Sequence, residues 1–443
     1  MSERVMRIKL PPEWGVDPVP KDARILGFLD YFVLWSSLGV GLLVLLAGSL
    51  LEGLSFLEVL LVSLLGSVVG SIMLALPGLV GSRYGVPTMV SLRPVLGTKA
   101  SYFPTALNVA QLVGWTAFEL IIMARAATLL TSGILGQASY GIWVIVFGTW
   151  CMLLALGGPL VVVRKWLERV AIWLVYGSTI WITYHTFSSG DFWGWVLYHR
   201  GGSMPLLLAL DLVIAMPISW WPLISDYNRF ANKPRSAFLG TVAGYTLANA
   251  WFYILGAALV VLLGIRDVLA SIAALFFGGI ALLLILVDET DNCFADIYSS
   301  AVSLQNIFPK TRQWKFVVLV VGISVALAMT VPITEYEDFL LMIGTLFVPL
   351  LGVTSAEFFV NRGSSQVALE EFYEKAGRIR LGNVLAWFLG IAVYAAVVTF
   401  APELGASIPS FLASFLVSAA VGRVSRLRTS RASTDRGSEL CSL

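Results

Sequence analysis

Twelve apolar stretches dominate the chain, at about 26–50, 55–80, 101–131, 140–162, 167–188, 203–225, 238–264, 269–302, 315–331, 338–360, 382–401 and 404–422. A membrane-crossing helix needs roughly 20 such residues. Only 13% of the 443 residues are charged while 58% are hydrophobic, about half the charged share of a soluble domain. The composition therefore excludes a soluble fold and implies an all-α polytopic membrane protein with twelve transmembrane helices. Residues 1–24 are polar and proline-rich and do not read as a cleavable signal.

Lysine and arginine fall on every second connection. They occur in the N-terminal tail (Lys21, Arg24) and then after span two (Arg83, Arg93, Lys99), span four (Arg164, Lys165, Arg169), span six (Arg229, Lys233, Arg235), span eight (Lys310, Arg312, Lys315) and span ten (Arg362, Lys375, Arg378, Arg380). The opposite loops hold only Arg200 and Arg266 among many carboxylates. By the positive-inside rule both termini are cytoplasmic, in a multi-pass protein of the cell membrane. Residues 361–381 form a cytoplasmic loop and 423–443 a cytoplasmic tail, expected to be unstructured from Thr429 onward. The Gly/Pro-rich segment 78–100 is a loop or a short helix against the inner face.

Two spans are interrupted in the middle. Span six carries Pro217 and Pro222 around Ser219-Trp220-Trp221, and each proline deletes a backbone donor. Span one carries Ser36, Ser37, Gly39 and Gly41 at mid-depth. Interrupted spans five apart point to an inverted-repeat transporter with its binding site near the midplane. The repeats are 25–202 (helices 1–5) and 203–360 (helices 6–10), with 382–422 (helices 11–12) appended.

Polar groups inside such spans are costly and mark function. Asn108, Gln111, Trp115 and Glu119 recur at spacings of three and four, so they share one face of span three. Span eight carries Asp288-Glu-Thr-Asp-Asn-Cys-Phe-Ala-Asp296, with Asp288, Asp291 and Asn292 on one face. Its oxygen-rich side chains suit a hard cation such as Na⁺, or carry protons. The rival reading is that the helix ends there at the membrane surface. Enzyme motifs are absent: there is no phosphate-binding glycine loop, His-Glu-x-x-His or Gly-x-Ser-x-Gly. His185 and His199 are the only histidines, and Cys151, Cys293 and Cys441 show no ligand spacing. No organic cofactor and no nucleic-acid partner are expected, and the protein is expected to be a monomer in the lipid bilayer.

Three segments resemble the nucleobase–cation symporter-1 family, closest to its hydroxymethylpyrimidine/cytosine permease branch. They are Asn108-Val-Ala-Gln-Leu-Val-Gly-Trp-Thr-Ala-Phe-Glu119, Met216-Pro-Ile-Ser-Trp-Trp-Pro-Leu-Ile-Ser-Asp-Tyr-Asn-Arg-Phe230 and Thr290-Asp-Asn-Cys-Phe-Ala-Asp-Ile-Tyr-Ser299. The resemblance implies a LeuT-like five-plus-five inverted repeat with two extra helices, and Na⁺- or H⁺-coupled uptake of a small heterocycle. It places Trp115 against the ring and Glu119 at the ring's edge, where many members have glutamine. Ser219 and Trp220 supply the opposing contact, and Asp296 stands where the family has a substrate-binding asparagine. Gln111 and Asn292, on the same polar faces, complete the substrate set. The implied cation site uses Ser37, Val40, Val287, Thr290 and Asp291, with Asp291 in place of a common second hydroxyl.

A flat heterocycle gains offset stacking from aromatic faces, and a carboxyl accepting from an amine or ring N–H discriminates where apolar contacts cannot. The pattern suits an aminopyrimidine such as cytosine or hydroxymethylpyrimidine, or a purine. Two alternatives remain: an amino-acid transporter of the same architecture, which would need free donors at the breaks for a substrate carboxylate, and a channel or non-transporting membrane scaffold.

Overall fold

Hydropathy maps onto helices almost one for one. The computed structural model describes residues 13–158, 172–198, 204–362, 368–373 and 379–440. The loop carrying Arg164, Lys165 and Arg169, as well as Arg200, Lys375, Arg378, His199 and Cys441, lies outside the described residues. Within them, eight helices are long and apolar enough to cross a membrane, and a bent pair makes up a ninth span.

That bent pair is span one: Phe28–Ser37 and Leu42–Gly53, turned by 61° at the Gly39–Gly41 stretch. At that turn Gly39 lets span one pack closely on span seven, because a Cβ there would approach the Ala248 methyl to 2.9 Å. Span six runs as Leu206–Ser219, a 3-10 turn at Trp221–Leu223 and a short helix Ile224–Asn228. It is interrupted where the prolines fall, without a bend as sharp as that of span one.

Span eight differs from its expected bounds. A short helix Val268–Ala274 precedes it, and the crossing helix itself is Gly278–Ile307. The start is set by close approach, since a Cβ at Gly278 would collide with the Ile272 carbonyl. The run Asp288–Asp296 thus lies mid-helix rather than at a surface end, and Asp288, Glu289, Asp291 and Asp296 are all buried. Segment 78–100 is resolved into helix up to Tyr84, a left-handed Gly85 cap (φ 76°), and two short helices, Thr88–Ser91 and Arg93–Leu96. The tail departs from expectation: the twelfth helix, Ser407–Leu440, continues through it, with no proline after Pro409 to stop it.

Packing sets apart two groups of four helices, with spans ten, eleven and twelve packed on one another beside them. Spans one, two, six and seven pack on one another, with Phe56–Tyr84 lying along both Pro234–Leu263 and Leu206–Ser219. Spans three, four, eight and nine (Tyr102–Leu135, Tyr140–Gly157, Gly278–Ile307, Gln313–Ala328) form the other. Glycines make the first group tight, as Gly240 and Gly244 lie against the backbone of Phe28 and Phe32. Outward faces carry exposed Leu57, Leu61, Leu65, Ile145, Leu153 and Leu319, an apolar belt that suits lipid and would aggregate in water.

At the end bearing the basic connections the groups are tied together. Asp226 Oδ1 accepts the Thr88 N–H at 3.0 Å, and Thr88 Oγ1 accepts the Ser225 N–H at 2.9 Å. Arg229 donates to the Gly15 carbonyl at 2.7 Å and to the Tyr298 hydroxyl at 2.8 Å, fixing the segment before span one across spans six and eight. Arg229→Ala should release that segment. Limited trypsin digestion in detergent is expected to cut at Lys21 and Arg24 several times faster than in the wild type, and an unchanged rate contradicts the role of Arg229.

Candidate substrate and cation site

The break in span one creates two opposite helix ends inside the protein. The first half ends at Ser37, and a helix C-terminus attracts positive charge. The second begins at Leu42 with N–H groups that have no partner within the helix, which attract negative charge. Span eight lies across both. Ser37 Oγ donates to Asp288 Oδ1 at 2.9 Å and lies 3.3 Å from Asp291 Oδ2. Next to Asp288, Glu289 Oε2 accepts the Leu42 N–H at 2.8 Å. Asn292 Nδ2 donates to the Val40 carbonyl at 2.9 Å, leaving its Oδ1 buried without a donor.

Of the expected cation residues, the structure brings Ser37 and Asp291 together and adds Asp288. The Val287 carbonyl accepts from Thr290 Oγ1 at 2.7 Å, and the Val40 carbonyl is engaged by Asn292. Asp288 shares a helix face with Asp291, a signal visible in the sequence that went unused for the cation set.

Span three splits into a structural and an open half. Asn108 donates to Ser303 Oγ at 2.9 Å, joining span three to span eight, and Gln111 donates to Asn108 Oδ1 at 2.7 Å within span three. Asn108 also lies 3.5 Å from the Pro222 carbonyl, beside the interruption in span six. Two turns further, Trp115 packs edge-on against Tyr336 (5.9 Å between ring centroids) and Phe339 (5.4 Å). Glu119 faces Glu289 within hydrogen-bonding reach and also neighbours Asp296. Asp296 is 2% exposed, and its carboxyl makes no hydrogen bond within the described residues.

The two tryptophans of span six separate. Trp221 is fully buried, and its indole donates to the Phe347 carbonyl at 3.0 Å. Trp220 keeps 9% exposure and stands edge-on to Trp35 at 6.3 Å. Ser219 Oγ donates to the Met216 carbonyl of its own helix at 2.7 Å. Trp221→Phe should therefore lower thermal stability by about 1 kcal/mol, the value of one hydrogen bond, with substrate affinity unchanged in a fluorescence titration. A loss of affinity in Trp221→Phe would place Trp221, not Trp220, at the ring.

Glu289 is the residue the sequence reading missed. Its neighbours in sequence made it one carboxyl among four, and only the fold shows that it meets both the span-one hinge and Glu119. Among the described residues no Lys or Arg is buried beside these carboxyls; the buried guanidiniums, Arg93 and Arg229, both sit at the basic end.

A family model described as permease for cytosine/purines, uracil, thiamine, allantoin matches residues 18–422. The cytosine permease of Escherichia coli (strain K12) is 25% identical over 355 residues, covering 78% of this chain and 80% of its own. The allantoin permease of Bacillus subtilis (strain 168) is 22% identical over 384 residues, covering 75% and 74%. Among solved structures, the nucleobase-cation-symport-1 transporter Mhp1, closed with bromovinylhydantoin bound, superposes with a TM-score of 0.80 at 16% identity, covering 93% of this chain and 95% of that one. The fold is thus the five-plus-five LeuT-like architecture with two added helices. The chain belongs to the permease family for cytosine/purines, uracil, thiamine and allantoin, and is an integral membrane transporter rather than an enzyme.

Proposed function

We propose that the protein imports an aminopyrimidine-type heterocycle, such as cytosine or hydroxymethylpyrimidine, by cation symport with alternating access. A purine is the larger substrate of the same pattern. The observation that carries this reading is that Glu119 neighbours the buried Asp296 and meets Glu289 at the break in span one, with Trp115 one turn away on the same face of span three. The ring stacks on an aromatic face, and Glu119 and Asp296 accept N–H groups from its edge. Gln111 and Asn292 back those contacts through their buried, unengaged oxygens. Such a site favours a ring with an exocyclic amine over a dioxo ring, whose two carbonyls want donors that carboxylates do not supply.

The coupling cation binds at Ser37, Asp288 and Asp291, with the Val40 and Val287 carbonyls and Thr290 beside them. An all-oxygen set at a helix C-terminus suits Na⁺, and the carboxyls serve a proton in its place. The basic end, with both termini, faces the cytoplasm, and the protein works as a monomer. An amino-acid substrate is disfavoured by one contact: the N–H groups at Leu42 that would hold its carboxylate are already capped by Glu289.

A competition-uptake panel tests the substrate. Cytosine and hydroxymethylpyrimidine should displace labelled substrate at lower concentration than uracil or hydantoin, and the reverse order overturns the aminopyrimidine reading.

A further inference from the structure

Span ten does not end as a regular helix. After Ser355 it widens into one π turn, Ala356–Asn361, of a kind that recurs at functional sites. That turn carries Glu357, a buried carboxylate at the end of the protein that bears the basic connections. Glu357 Oε1 accepts from Arg362 Nε and from Arg380 Nη1, each at 3.0 Å, and its Oε2 accepts from Asn361 Nδ2 at 3.2 Å and Asn383 Nδ2 at 3.4 Å. These residues line a cavity of about 450 Å³ between the ends of spans ten, eleven and twelve. It shares no residue with the substrate and cation sets. Glycines set its floor, since a Cβ at Gly382 would collide with Val421 and one at Gly422 with Asn361.

Arg362 is engaged on every side, by Glu357, by Glu371 at 2.9 Å and by the Pro94 carbonyl at 3.3 Å. Arg380 is only half engaged. Its Nη2 stands 3.7 Å from Glu371, beyond hydrogen bonding, and 42% of its side chain is exposed. Span eleven starts at the next residue, Leu381, and no side chain caps its N-terminus among the described residues. A guanidinium edge beside an uncapped helix N-terminus suits a phosphate. Asn361 asks for the opposite: it is 9% exposed, and its Oδ1 has no donor. Among the described residues Glu357 and Glu371 balance Arg362 and Arg380. The site therefore fits a headgroup with one charge of each sign better than a bare anion. Exposed Leu381, Leu385 and Phe388, on one face of span eleven, lead from the cavity into the lipid-facing belt.

We propose that this cavity binds the headgroup of a zwitterionic phospholipid with a primary ammonium, of the phosphatidylethanolamine type. The phosphate sits on Arg380 and the start of span eleven, as headgroups do in basic pockets between membrane helices. The ammonium donates to Asn361 and Glu371, and an acyl chain lies along Leu381, Leu385 and Phe388. A choline headgroup lacks the N–H donors, and a glycerol headgroup lacks the positive charge. The bound lipid joins spans ten, eleven and twelve at one end of the protein, whatever compound the protein carries.

Native mass spectrometry of the full chain, stripped of lipid in detergent, tests the site. Titrated with dioleoyl lipids of equal chain length, the wild type should bind phosphatidylethanolamine at least ~10-fold more tightly than phosphatidylcholine, the value of one charge-assisted hydrogen bond. Arg380→Gln should weaken phosphatidylethanolamine binding by a similar factor, and Glu371→Gln should narrow the preference over phosphatidylcholine. Glu371 is one-third exposed, so its variant keeps the test alive where a melting curve shows Arg380→Gln to be unfolded. Equal affinity for the two lipids in the wild type overturns the proposal, as does a preference unchanged in both variants. Tighter binding of phosphatidylglycerol overturns the choice of a zwitterion. Displacement of the lipid by inorganic phosphate at the same concentration assigns the cavity to a free anion and overturns the lipid.

Discussion

Asp296→Ala should weaken substrate binding by about 10- to 100-fold, the value of one hydrogen bond to a charged group, without destabilising the protein. The carboxyl is buried and makes no hydrogen bond within the described residues. Its removal therefore breaks no internal hydrogen bond and relieves an unpaired buried carboxyl beside Glu119. On the proposed reading its partner is the substrate. Titration by tryptophan fluorescence, together with a melting curve, checks both halves. Unchanged affinity removes Asp296 from the substrate site, and a large drop in melting temperature makes it structural.

Asp291→Ala should abolish the stabilisation that the coupling cation gives. At a cation concentration 100 times its Kd, binding to the folded state alone adds about 2.7 kcal/mol, which a melting curve resolves. In the absence of cation the variant should be no less stable than the wild type, because Asp288 and Asp291 converge on the single Ser37 hydroxyl and like charges repel. Asp296→Ala should keep the full response to Na⁺, separating the two sites. A sodium response intact in Asp291→Ala contradicts the assignment. A response to pH with none to Na⁺ in the wild type assigns the site to a proton.

Much of the fold was legible because the bilayer imposes it. Helix length and the lysine–arginine alternation are local properties, so the spans could be read within a few residues. The hinge in span one was visible as Gly39 and Gly41, and the interruption in span six as Pro217 and Pro222. The start of span eight was not, since Gly278 matters only through contact with Ile272, an approach that hydropathy does not register. The tail was misread for a related reason: polarity argued for an unstructured chain, while the helix of span twelve simply runs on.

The candidate site was legible as faces and not as pairings. Spacing put Asn108, Gln111, Trp115 and Glu119 in a row, but could not show that the first two hold Ser303 and one another. Trp220 and Trp221 are equivalent in sequence, and only the contact with Phe347 separates them. Glu289 was hidden most completely, because its role depends on Leu42 and Glu119, 247 and 170 positions away.

The central claim is gradient-driven uptake of a heterocycle, and purified protein in proteoliposomes tests it most directly. With labelled cytosine outside and an inward Na⁺ or H⁺ gradient, internal cytosine should rise above the external concentration, collapse when an ionophore removes the gradient, and resist competition by amino acids. Equilibration without accumulation under either gradient, or displacement of the label by an amino acid, would contradict it.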